Sequence, residues 1–170
     1  MEQLSRAKRY LGRIERLYAG VFSSLGHDED AYFDDVLSFF IHCYHVRDWA
    51  LHQDGSTVQR CEIDAFIDEN EALRICADLA NGSKHCKLTR TPRSGHQPSI
   101  TDPQTHYSTW YVGNGGGEVL QFSYRVMSSG QSIDVRQLAR ECIALWEQFL
   151  GGILQQANRP GPPVSDEFIP

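Results

Sequence analysis

The chain has 170 residues, a formal net charge of −6, and 41% hydrophobic against 22% charged residues. That length suits one well-cored domain and is too short for two, and the acidic balance argues against a large sequence-independent nucleic-acid footprint, which needs clustered Lys and Arg. With no charged-then-apolar leader and no apolar run near the roughly 18 residues of a membrane span, a cytoplasmic protein without membrane contact is expected.

The five cysteines, Cys43, Cys61, Cys76, Cys86 and Cys142, form an odd set without a Cys-x-x-Cys pair. Reduced and mostly buried thiols fit that pattern. His85 and Cys86 are adjacent, but no second pair follows at metal-ligand spacing, so neither a metal nor a cofactor is expected.

In chain order, Leu4, Ala7, Leu11, Ile14, Leu17, Tyr18 and Val21 recur at threes and fours and predict an amphipathic helix over 3–23. Its charges, Arg6, Lys8, Arg9, Arg13 and Arg16, make a basic face, read first as solvated surface and second as an RNA face. The acidic residues from Asp28 suit the first turn of a second helix running from about Asp30 to His52, with a stripe at Phe33, Leu37, Phe40, Ile41 and Tyr44. His42, His45 and His52 share one side of it and are expected to pack or hydrogen-bond.

Residues 58–81 predict helix in two pieces, with Asn70 as the cap between them and Gly82 just past the end. Residues 89–104, rich in Pro, Ser and Thr, read as a mobile loop. The segments 106–112 and 118–126, separated by Gly113-Asn-Gly-Gly-Gly117, predict a β-hairpin, with a short strand near 86–91 as a third member. Asp134 caps a final helix whose apolar face runs through Leu138, Cys142, Trp146 and Phe149. The expected fold is therefore mainly α, one domain over 1–156 with an inserted hairpin or three-stranded meander near 86–127, and a disordered Pro-rich tail over 157–170.

The most chemically specific stretch is Arg74–His85. At about 100° per residue, Arg74, Asp78, Asn81 and His85 line one side of a helix. As structure, Arg74 and Asp78 form a surface pair, Asn81 marks the helix end, and Lys84 and His85 meet the last carbonyls. As chemistry, Asn81 and His85 orient and move a proton at a ribose hydroxyl while a nearby cation steadies the phosphate, as metal-independent RNA cleavage requires.

The tract Leu79-Ala-Asn-Gly-Ser-Lys-His85, ending a helix that follows a long second helix, resembles the HEPN superfamily of bacterial defence, toxin and RNA-processing proteins. That family tends to carry an arginine, four to six residues, then a histidine, often with a polar residue directly after the arginine. Asn81 matches the polar position and His85 the histidine, while Ala80 stands where the arginine belongs. The resemblance spans about residues 1–90 and 132–155 and implies a HEPN-like helical bundle. Active members are generally RNases that act across a homodimer interface.

The arginine-to-histidine spacing also occurs at Arg47–His52 and Arg90–His96, at a frequency chance accounts for. Arg47 and Asp48, near the end of one helix, are candidates to face Asn81 and His85 and supply the missing cation, so that His85, Asn81, Lys84 and Arg47 are the catalytic candidates and Arg74, Asp78, Asp48 and His52 the binding ones. The expectation is an accessory subunit of a bacterial antiphage defence or toxin-type complex. It would work as a homodimer or beside an effector from the same operon, an NAD-consuming or nucleotide-handling enzyme being among the candidates. The alternatives are a metal-independent endoribonuclease using His85, with RNA as substrate, and a small-anion- or nucleotide-binding α+β domain.

Overall fold

The spacing of apolar residues at threes and fours produces helices where it predicts them. The computed structural model describes residues 2–22, 28–54, 56–83, 91–112 and 115–157. The described chain is mainly helical with small antiparallel sheets: α1 (Glu2–Ala19), β1 (Val21–Phe22), α2 (Glu29–His52), α3 (Arg60–Glu69), α4 (Glu71–Gly82), β2 (Ser99–Ile100), β3 (Gln104–Val112), β4 (Gly115–Ser123), β5 (Arg125–Ser128), β6 (Gln131–Asp134) and α5 (Val135–Ala157). Residues 158–170 lie outside the described residues, as does all of the strand expected near 86–91 except Thr91, which is not in a strand.

Helix ends follow local chemistry. The Asp28 carboxylate accepts from the Ala31 N–H at 3.0 Å and the Asp134 carboxylate from the Gln137 N–H at 2.9 Å, which caps α2 and α5. Asn70 departs from expectation: its side chain reaches back to donate to the Phe66 carbonyl at 2.7 Å and does not cap α4. Gly82 falls inside α4, with Ser83 after it.

Helix α1 stops at Gly20 because φ there is +111°, and a Cβ would lie 2.2 Å from Val119 Cγ1. The chain then leaves the helix as β1, which pairs antiparallel with β4 through Val21 and Leu120. The expected helix to residue 23 is therefore shorter, and its last apolar residue serves a sheet.

The core lies where α1, α2, α4 and α5 meet. Helix α2 buries Val36, Phe39, Phe40, Cys43, Val46 and Ala50, while Phe33 and Tyr44 of the expected stripe are only partly buried. The helix is apolar nearly all round because α1 packs on one flank and α4 and α5 on others. Cys43, Cys76 and Cys142 come together in this core, their sulfurs all within 4.8 Å of one another, whereas Cys61 is exposed.

Two three-stranded sheets stand at the side, ordered β1-β4-β3 and β2-β5-β6. The expected hairpin is present as β3 and β4, but residues 118–126 are not one strand. Tyr124 interrupts them, and Arg125 onward belongs to the second sheet. The Tyr18 hydroxyl donates to the Tyr124 carbonyl at 2.9 Å and accepts its N–H at 3.0 Å, so the break in the strand has its backbone groups satisfied. Strands β5 and β6 turn at Ser129 and Gly130, both with positive φ, a conformation matched to strand twist.

Candidate functional site

The polar stripe of α4 is the place to look for chemistry, and the structure gives its members separate tasks. Asp78 is buried, and its carboxylate accepts from the Arg93 N–H at 2.8 Å and from the Ser94 N–H and hydroxyl, both at 2.7 Å. Three donors saturate most of its lone pairs, as a buried carboxylate requires. The surface pairing of Asp78 with Arg74 expected from their spacing is replaced by this tertiary contact, because the turn at residues 92–95 brings two backbone N–H groups that need acceptors.

The same turn is tied down a second time. The Arg93 guanidinium bridges Asp64 at 2.9 Å and Asp68 at 2.6 Å on α3. This part of the expected mobile loop, residues 93 and 94, is thus pinned to α3 and α4, and Ser99–Ile100 beyond it joins a sheet.

Arg47 points toward α3, where it lies 3.2 Å from Asp64, over the Tyr44 ring at 5.9 Å, and 4.0 Å from Asp48. It shares Asp64 with Arg93, so its charge is taken up by the α2–α3–loop junction. The expectation that Arg47 and Asp48 complete the Asn81 site is not met by any contact among the described residues. Arg74 is half-buried, with its Nε buried and unpartnered. Asn81 is half-buried two helical turns beyond it on the same stripe, about 10 Å along the axis. Lys84 and His85 lie outside the described residues.

The cleft at the C-terminal end of α4 is lined by Phe33, Leu37, Leu79, Gly82, Gln97 and Ile100 among others, and among the described residues none of its lining side chains is titratable. A second, open cleft contains Asp48 and His52 with Glu2, Trp49 and Asp54. Its carboxylates repel phosphate. His52 Nδ1 is 2.8 Å from the Asp48 carbonyl, one turn back in the same helix.

His42, on the same side of that helix, is structural. The buried Gln3 side chain lies 3.0 Å from His42 Nδ1 and donates to the His42 carbonyl at 3.1 Å, and Tyr10 stacks on the ring at 5.1 Å. Burial, then Arg6 and His45, lowers the His42 pKa. The basic face of α1 is largely paired: Arg6 with Glu2, Lys8 with Glu147 and Arg13 with Asp35. Solvated and ion-paired surface is the reading these contacts support.

Sequence reasoning missed two features. The first is the Asp64–Arg93–Asp78 junction, whose partners are separated along the chain and carry no spacing signal. The second is the projecting edge of the first sheet. Among the described residues strand β3 pairs with β4 alone, its residues 106–109 are all exposed, and Tyr107 is 75% exposed. Alternation of β-branched and aromatic residues marks the strand, but nothing in it marks which edge stays open.

No family model matches this chain, and no curated protein or solved structure matches it either.

Proposed function

We propose that this chain is a HEPN-like accessory subunit that works by binding a protein partner within a bacterial defence or toxin-type complex, and not by catalysis along the α4 stripe. The observation that carries this reading is the commitment of Asp78 to three donors of the 93–94 turn. Three of its roughly four acceptor positions are taken, which leaves little capacity to orient a base or a substrate. Arg47, one of the residues expected to substitute for the arginine that Ala80 replaces, is engaged by Asp64.

Binding has a suitable surface in the β3 edge, which is unpaired among the described residues. An open strand offers a row of backbone donors and acceptors to a partner strand, and an exposed tyrosine supplies contact area at little entropic cost. The experiment is co-expression with the products of neighbouring genes, followed by copurification of wild type and Tyr107→Lys. Retention of a defined partner by wild type and its loss in the variant supports the reading. Migration as a lone monomer beside every neighbour removes its basis.

A second reading, a metal-independent endoribonuclease using His85 with Asn81 and Lys84, is favoured by the unpartnered Arg74 Nε, a cation on the correct stripe.

A further inference from the structure

Cys43 of α2, Cys76 of α4 and Cys142 of α5 are all fully buried or nearly so, and their three sulfurs lie within 4.8 Å of one another. As thiols, Cys76 donates to the Phe40 carbonyl at 3.6 Å and Cys142 to the Ala72 carbonyl at 3.4 Å. The indole N–H of Trp146, itself buried, has no hydrogen-bond partner among the described residues.

We propose that Cys43, Cys76 and Cys142 form a three-sulfur site for a soft, thiophilic ion, best matched by a trivalent metalloid. A trivalent metalloid keeps a lone pair and binds three sulfurs as a pyramid; bonds of about 2.3 Å at angles of about 95° place the sulfurs about 3.4 Å apart, so from separations within 4.8 Å the cluster closes with sulfur movements of under about 1 Å. Soft ligands select soft ions. Charge then ranks them. Three thiolates carry −3 into a dry core, where net charge is costly: a monovalent ion leaves −2, a divalent ion −1 and a trivalent one zero.

Arsenous acid meets this condition without oxidant or reductant. Three S–H and three As–O bonds break, three As–S and three O–H bonds form, and three waters leave. Both the entering acid and the product are neutral. Because the ligands come from three helices, the bound ion staples α2, α4 and α5 together, and binding adds to fold stability.

The test uses the full chain, kept reduced by a phosphine, incubated with arsenite or in parallel with cadmium, then desalted and weighed by native mass spectrometry. One arsenic per chain, a raised Tm, and loss of the adduct in each of Cys43→Ala, Cys76→Ala and Cys142→Ala are expected, with Cys61→Ser and Cys86→Ser retaining it. Since an alanine in the core can unfold the chain, peptide mapping of wild type supplies an independent reading: arsenite should shield Cys43, Cys76 and Cys142 from alkylation in denaturant. Absence of an adduct, an adduct that persists in folded Cys76→Ala, or shielding mapped to Cys61 or Cys86 overturns the site. Cadmium retained as well as or better than arsenite overturns the charge argument.

Discussion

Asp78 and Ser94 are joined twice, the carboxylate accepting at 2.7 Å both the backbone N–H and the hydroxyl of the serine. With the Arg93 N–H as a third donor, one side chain fixes the turn that links the helical half of the chain to its strands. Asp78→Ala strips the acceptor from two backbone N–H groups and one hydroxyl. A loss of about 3 kcal/mol in unfolding free energy is expected, read from urea denaturation. Asp78→Asn should lose less, because its amide oxygen still accepts. A change under about 0.5 kcal/mol in Asp78→Ala, the scale of ordinary surface substitutions, would remove the structural role.

The buried hydroxyl of Tyr124 makes a different prediction. It has no hydrogen-bond partner, and burial first, then the Glu29 carboxylate, pushes its pKa up to about 12. The unfolded tyrosine ionises near 10, so this group's contribution is complete below about pH 10 and is lost as pH rises through about 12, at most about 2 to 3 kcal/mol. Tyr124→Phe should gain about 1 kcal/mol at neutral pH by deleting an unpaired buried hydroxyl, and should show a shallower alkaline loss. Equal alkaline slopes in the two proteins would contradict this.

His42 sets the acid side. Its ring is favoured neutral in the fold because burial and then Arg6 lower its pKa from an ordinary value of 6.5. The stability tied to it is therefore present above about pH 6.5 and lost as pH falls through the lower folded value. An NMR titration of the ring should give a midpoint below that of an unfolded peptide. Denaturation midpoints should fall on acidification in wild type and fall less in His42→Asn.

How far these features were legible depends on the range of the signal. Helices α1, α2, α3, α4 and α5 follow from periodicity and the cap at Asp134 from residue type, whereas Asp28, expected in the first turn of α2, is its cap. Strand β1 has two residues, too few for any period, and its placement depends on Gly20 lying against Val119 across the sheet. The division of residues 118–126 between two sheets turns on Tyr124, a residue that suits a strand as well as it suits a break. The site suffered from the same limit. Arg74, Asp78 and Asn81 do share a helix face, but what Asp78 binds was decided by a turn 15 residues on, and Arg47 by carboxylates of another helix. The three core cysteines have no common spacing because each comes from its own helix.

The most direct test of the binding reading is RNA cleavage by the purified protein in EDTA, compared with His85→Ala. The account predicts that wild type leaves RNA intact, or that any trace activity is the same in the variant. Cleavage by wild type that disappears in a folded His85→Ala protein would contradict it and establish a nuclease.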